Sequence, residues 1–335
     1  CTGTGTLCLW DAHRWQPLRK FQASTIGGDD SSETGVFCWG PDGDVLARAG
    51  GLGGAVELLD AASGRILRRL KGNDQRIASF AWSADGGTLA AGTGNGVLLA
   101  WDLASAAPEP YRQLAVNGSN VRAVFLPTDP PAVVTADSDG QVTLWDLREG
   151  RSLRTFPGSP GVAAGLAVAP DGKTIACAGP QAVYLWDAAT GALPRSLRND
   201  PNRPASASWA FSTLAWSPDG RTLAAGDSAG RVFVWDADAR TAARSFATQG
   251  GAVTSLAWSR AGQLLLSGGS DGTARAWDVK NGYRDYAVLL PLWGPLGAGV
   301  AVNPEGDYRG TPESEDHLVY VVRTDQGQKT LTPTE

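Results

Sequence analysis

The residue types best able to do chemistry are few in this 335-residue chain and stand far apart. Its only histidines are His13 and His317, and its four cysteines are Cys1, Cys8, Cys38 and Cys177. A zinc site needs Cys and His at short, paired spacings, and these residues offer none. Cys8, Cys38 and Cys177 fall inside strand patterns, as small buried thiols do, and their scatter is unlike the framework of a disulfide scaffold. No Gly-x-Ser-x-Gly elbow or Walker loop is expected. Gly3-Thr4-Gly5 and Gly92-Thr93-Gly94-Asn95-Gly96 are turn glycines; between two strands they have no helix N-terminus to offer a phosphate. The expectation is a chain with no catalytic residue, cofactor site or metal site, and therefore not an enzyme.

Aspartates are more regular. They close a recurring phrase of short apolar run plus Trp-Asp, most fully written at Arg231–Asp236, and one belongs to each repeat. The endings are Trp10-Asp11, Leu59-Asp60, Trp101-Asp102, Trp145-Asp146, Trp186-Asp187, Trp235-Asp236 and Trp277-Asp278, at spacings of 49, 42, 44, 41, 49 and 42 residues. Seven carboxylates on seven repeats are no catalytic set; each is expected to fix its own turn. A second marker alternates with the first: Gly40-Pro41-Asp42-Gly43, Ser83-Ala84-Asp85-Gly86, Pro127-Thr128-Asp129-Pro130, Ala169-Pro170-Asp171-Gly172, Ser217-Pro218-Asp219-Gly220, Ser259-Arg260-Ala261-Gly262 and Asn303-Pro304-Glu305-Gly306. Pro presets φ, Asp bonds its own backbone and Gly accepts positive φ, so these are turns. Repetition at such a period means stacked units.

The elements follow from one unit. Phe211–Trp216 alternates, Thr222–Gly226 follows the Pro-Asp-Gly turn, Val232–Trp235 follows Asp227–Gly230, and Thr241–Phe246 is a weaker, polar fourth run. Four short strands with no helical pattern make an antiparallel meander. In the third strand Val232 and Val234 point one way, Phe233 and Trp235 the other. Both faces are apolar, so both must be covered, which radial stacking of sheets into a β-propeller achieves.

On these residues the chain resembles the WD40-repeat family over almost its whole length. It departs in lacking the Gly-His pair before the first strand, so the buried His–Ser/Thr–Asp–Trp network that the resemblance implies cannot form as a complete set. The Asp of that network is matched at Asp139 and Asp271, six residues before Trp145 and Trp277, with Asn95 a substitute. The tail, Leu318-Val-Tyr-Val-Val322 and the Leu-Thr-Pro after it, is similar to tails of bacterial, planctomycete-type WD40 proteins.

In chain order, Thr6–Asp11 and Pro17–Phe21 read as third and fourth strands. Full blades are expected at about 35–72, 77–118, 121–157, 162–199, 210–247 and 252–292. Ala298–Thr324 reads as a first and second strand, with Asp307–Asp316 an insertion. The expected fold is all-β: a seven-bladed propeller of four-stranded antiparallel blades over 1–324, one blade closed by both chain ends (1–22 with 298–324), then a polar tail, 325–335. Such closure removes exposed sheet edges. The chain has no Met and starts at Cys1 inside a turn, which predicts a piece of a longer protein.

The formal net charge is −5 and no basic block stands out, arguing against nucleic acid. The longest apolar stretch, Val288–Val302, is interrupted by Pro291, Pro295 and three glycines, arguing against membrane insertion. A monomeric, cytoplasmic propeller is expected. Binding is expected on the rim formed by fourth-to-first and second-to-third connections, because loops on a rigid ring are where binding evolves. Two such loops are long, Gln22–Glu33 and Asn199–Ala210. Trp209 beside Arg203 has the composition of an interface anchor, with Asn199 and Asp200 in the same loop; packing of Trp209 under its own loop is the other reading. Arg76 and Arg122 face the same rim, either as partner contacts or as solvated surface arginines. Trp39, Trp82, Trp216 and Trp258 end first strands in fixed register, which reads as core or inter-blade packing rather than an aromatic box.

Three functions compete. The first is a non-enzymatic scaffold binding a protein or peptide. The second is a small-molecule binder or enzyme using the central channel, which would need inward polar groups from several blades. The third is a sensor or docking module of a larger protein with a kinase-like or caspase-like N-terminal domain, which the resemblance permits.

Overall fold

The structure is a computed structural model; it describes residues 7–11, 16–21, 36–50, 54–128, 130–157, 161, 163–193, 195–198, 210–237, 244–247, 251–291, 299–302, 308–310, 320–324 and 327–331. Among them there is no helix. Six four-stranded antiparallel meanders follow one another. Blade 1 is β3 (Phe37–Trp39), β4 (Val45–Gly50), β5 (Ala55–Asp60) and β6 (Ile66–Leu70). Blade 2 is β7 (Ile77–Trp82), β8 (Thr88–Thr93), β9 (Val97–Asp102) and β10 (Arg112–Ala115). Blade 3 is β11 (Arg122–Leu126), β12 (Ala132–Ala136), β13 (Val142–Asp146) and β14 (Arg151–Phe156). Blade 4 is β15 (Gly165–Val168), β16 (Thr174–Ala178), β17 (Val183–Asp187) and β18 (Arg195–Leu197). Blade 5 is β19 (Phe211–Trp216), β20 (Thr222–Asp227), β21 (Arg231–Asp236) and β22 (Arg244–Ala247). Blade 6 is β23 (Val253–Trp258), β24 (Leu264–Gly269), β25 (Ala274–Asp278) and β26 (Arg284–Pro291). First strands of successive blades lie side by side, so they form the inner wall of a propeller.

The turns between first and second strands close as their residues dictate. In blade 5 the Ser217 hydroxyl donates to Asp219 at 2.6 Å and accepts from Thr222 N at 2.9 Å, while Asp219 accepts from Arg221 N at 3.0 Å. Gly220 completes the turn at φ +69°, where a Cβ would be strained.

The core lies between blades. Val232 and Val234 pack toward blade 6 with Val253, Leu265 and Trp277, while Phe233 and Trp235 pack toward blade 4 with Val183, Leu185 and Leu197. Strand alternation thus supplies each sheet with two apolar faces, and each interface is filled from both neighbours. Apolar burial of this kind is the main favourable contribution to the fold.

Among the described residues the expected seventh blade is not formed. Strands β1 (Leu7–Asp11) and β2 (Gln16–Phe21) make a two-stranded sheet that packs Phe21 on Leu46 and Leu59 of blade 1. Strand β27 (Gly299–Val302) pairs with β26, and β28 (Tyr308–Gly310), from the stretch read as an insertion, pairs with β27, so the last sheet has six strands. Strand β29 (Tyr320–Thr324) pairs with β30 (Gly327–Leu331) rather than with β1. The polar tail therefore contributes a strand, and closure by the two chain ends is absent from the pairings. The reason is physical: an exposed strand edge offers the same N–H and C=O pattern to any neighbour, and here the sequence-adjacent edge of β26 is the one taken.

Neighbouring blades are also fastened at their outer strands by arginines at one repeated register. Arg19, Arg68, Arg112, Arg154, Arg195 and Arg244 each pair, across the sheet, with the residue preceding the phrase-final Trp or Leu59. Their guanidiniums reach carbonyls of the next blade's third-to-fourth turn: Arg19 to Ser63 O at 2.9 Å, Arg68 to Leu103 O and Ala107 O, Arg112 to Leu147 O at 2.9 Å and Arg148 O, Arg154 to Thr190 O and Ala189 O at 2.6 and 2.8 Å, and Arg244 to Gly282 O at 2.9 Å. For Arg195 the corresponding turn, after Asp236, runs outside the described residues. The phrase-final aspartates shape these turns, as expected: Asp60, Asp146, Asp187 and Asp278 each accept the backbone N–H three residues on.

Candidate interaction rim

The rim is built from second-to-third turns, stitched to the loops that bring the chain in from the preceding blade. Gly94 N donates to Arg76 O at 2.8 Å, Ser138 N to Ser119 O at 2.9 Å, Ser228 N to Ala210 O at 2.9 Å and Ser270 N to Ala252 O at 2.8 Å. Two turns carry a fully buried carboxylate. Asp137 accepts from Gly118 N, Asp139 N and Gln141 N at 3.2, 3.0 and 2.9 Å. Asp227 accepts from Ala229 N, Arg231 N and Arg231 Nε at 3.0, 2.8 and 2.8 Å. Sequence reasoning singled out Asp139 and missed these two, although both close a second strand just ahead of a turn glycine. Asp271, which it did single out, accepts from Thr273 N and the Thr273 hydroxyl. In blade 2 Thr93 takes the leading position and donates to Asn95 Oδ1 at 2.7 Å.

The rest of the expected network survives as pairs. Trp145 Nε1 donates to Thr135 Oγ1 at 2.8 Å, and Trp277 Nε1 to Ser267 Oγ at 3.0 Å. Where that register holds Ala91 or Ala176, Trp101 and Trp186 instead donate to Lys71 O at 3.1 Å and Pro157 O at 2.9 Å, at the end of the preceding blade. At Ala225 neither acceptor is reached, and Trp235 Nε1 has no hydrogen-bond partner among the described residues.

Of the candidate partner-binding residues, Arg203, Trp209, Asn199 and Asp200 lie outside the described residues, as does the loop Gln22–Glu33. Arg76 and Arg122 are described, and the structure brings them together. They stand at the rim ends of β7 and β11, adjacent inner strands. Arg122 Nη1 donates to Ala78 O at 3.1 Å, two residues beyond Arg76. Burial of its surroundings, then the nearby charge of Arg76, holds Arg122 below the usual arginine range. The first-strand tryptophans are tied to neighbouring blades as expected at Trp82 and Trp258, which donate to Cys38 O and Ala215 O of the preceding blade. Trp39 differs, being 43% exposed.

Among the described residues, the two cysteines and the serine motifs are occupied or suppressed. Burial raises the Cys38 thiol to about 11, so it is protonated at neutral pH. Cys177 lies in the core between blades 3 and 4. The spelling Gly-x-Ser-x-Gly occurs at Gly226–Gly230 and Gly268–Gly272, but each spans a strand-to-strand turn, and the Ser228 hydroxyl accepts Ala210 N at 3.0 Å. Among the described residues no group of three His, Cys, Asp or Glu side chains could hold a metal ion, and no helix is long and apolar enough to cross a membrane.

The fold and rim define an all-β propeller of repeated four-stranded blades. Three segments, residues 64–102, 205–236 and 241–278, match the family model "WD domain, G-beta repeat", about a third of the chain. Protein HIR1 of Mycosarcoma maydis is 28% identical over 189 residues, 51% of this chain and 18% of that protein. The target of rapamycin complex subunit wat1 of Schizosaccharomyces pombe is 25% identical over 195 residues, 58% of this chain and 60% of its own length. The LST8 homolog of Drosophila melanogaster is 24% identical over 238 residues, 70% of this chain and 73% of its own length. The chain thus spans less than two thirds of the length of the first two. Repeat matches and WD-repeat relatives together support the WD40 family. These relatives are fungal and insect proteins, and a bacterial origin gains no support from them.

Proposed function

We propose that this chain is a non-enzymatic interaction scaffold that takes a protein or peptide partner on the rim of second-to-third turns and fourth-to-first loops. The observation carrying this reading is the placement of Arg76 and Arg122: two exposed cations, side by side, on backbone fixed by inter-blade hydrogen bonds. Asn199, Asp200, Arg203 and Trp209, in a loop outside the described residues, are proposed to complete that surface. Similarity to a protein named as a complex subunit is consistent with this role, and fold alone would not establish it.

The test is affinity capture with the whole chain as bait, comparing wild type with Arg76→Ala, Arg122→Ala, Arg203→Ala and Trp209→Ala. Interface anchors of these types cost 2 kcal/mol or more when truncated, at least about thirtyfold in affinity. The expected result is a partner recovered by wild type and depleted by rim variants. Equal recovery by all four variants would remove the rim assignment, and turnover of a substrate by the chain alone would remove the scaffold reading.

A further inference from the structure

We propose that Arg76 and Arg122 form a two-guanidinium receptor for the carboxylate side chains of an acidic peptide segment crossing the inner edge of the rim. This rests on the rim reading above and specifies its ligand chemistry.

The first argument is occupancy. Several other described arginines are engaged in holding the fold. Arg19, Arg68, Arg112, Arg154 and Arg244 bind turn carbonyls of the next blade. Arg48 and Arg69 pair with Glu57, and Arg231 with Asp227. Arg76 and Arg122 make no ion pair with any described residue. Arg122 gives a single donor to Ala78 O, out of the five N–H groups a guanidinium carries.

The second argument is placement. Ser79 donates its hydroxyl to Val121 O at 2.9 Å and accepts Ala123 N at 3.1 Å. These bonds fix β7 against β11 and set the two arginines at neighbouring points of a rigid wall. Arg76 O is held by Gly94 N at 2.8 Å. Two like charges held side by side repel, and the lowered affinity of Arg122 for its proton reflects that neighbour as well as burial. An anion relieves the repulsion, so an arrangement that costs stability in the unbound chain favours an acidic ligand.

The third argument is the chemistry of the fork. Guanidinium and carboxylate match in a planar, two-bond geometry. Two forks on separate strands are filled together by a segment bearing several carboxylates.

The experiment titrates fluorescein-labelled hexaglutamate into the whole chain and follows anisotropy, with labelled hexalysine as the opposite-charge probe. Arg260→Ala, on a first-to-second turn and exposed, removes the same charge from the opposite rim. Circular dichroism confirms that each variant keeps its fold. Arg76→Ala and Arg122→Ala are each expected to weaken hexaglutamate about tenfold, as loss of a charge-assisted pair does, and Arg260→Ala to stay within twofold of wild type. The proposal is overturned if wild type fails to bind hexaglutamate, if hexalysine binds as well, or if Arg260→Ala loses as much as the rim variants. If captured partners still depend on Arg203 and Trp209 in that event, the rim reading stands and only the acidic-ligand assignment fails.

Discussion

At the residue scale, several described buried polar groups are tied to particular partners, and the cost of losing them can be stated. Glu57, 1% exposed, lies between Arg48 and Arg69 across blade 1, with Arg69 Nε at 3.1 Å. Burial pushes its carboxyl up, but the hydrogen bonds from Arg48 and Arg69 outweigh burial and leave it below its ordinary 4.5. Because the folded value is the lower one, the contribution is complete above about pH 4.5 and is lost as pH falls through the folded value. Glu57→Gln removes the buried carboxylate charge between Arg48 and Arg69 and is expected to cost roughly 3–5 kcal/mol in urea unfolding at pH 7. It should also remove part of the wild-type loss of stability below pH 4. A wild-type-like urea midpoint at pH 7 would contradict this. The indole of Trp235 supplies the converse case. Ala225→Ser places a hydroxyl where Thr135 and Ser267 serve Trp145 and Trp277, and should stabilise by about 1 kcal/mol. A lowered melting temperature would show instead that the fully buried Ala225 site has no room for the extra atom.

At the scale of elements, the unit that matters is a fourth strand together with the next blade's turn. Arg154 spans the gap to Ala189 O and Thr190 O, and Gly191 at φ +75° stands where a Cβ would come within 2.8 Å of Arg154 Cδ. Arg154→Ala should therefore cost about 1–2 kcal/mol. Gly191→Ala should cost about as much, since it combines a strained φ with displacement of the same guanidinium. The double variant should fall short of the sum, because both changes remove one contact; full additivity in a double-mutant cycle would disprove the clasp. The signal for these clasps was present in the sequence: Arg19, Arg68, Arg112, Arg154, Arg195 and Arg244 recur at the repeat's own spacing. It is easily missed because one arginine on a polar outer strand looks like ordinary solvated charge. Alternation within strands was more legible, since Val232 and Val234 could only face opposite to Phe233 and Trp235.

At the scale of the molecule, the all-β propeller and its repeat were legible because every blade repeats the same local code. The number of blades was not. A run such as Gly299–Val302 says "strand" but not which edge it joins, and that choice is made by hydrogen-bonding groups common to all residues. The rim was legible only in outline. Loop length marked where it lies, whereas the proximity of Arg76 and Arg122, 46 positions apart, comes from blades packing side by side. Asp137 and Asp227 were hidden for the same reason, as a carboxylate beside a turn glycine looks alike whether it faces water or two or three backbone N–H groups.

Where the receiving turns are described, guanidinium clasps occur from the N-terminal hairpin to blade 6 and then stop, for the register that carries arginine elsewhere holds Ala287 in β26. A row of fasteners gives way first at its unfastened end. Breathing of this molecule should begin there, with amide protons of β23–β26 exchanging sooner than those of the blades clasped on both sides.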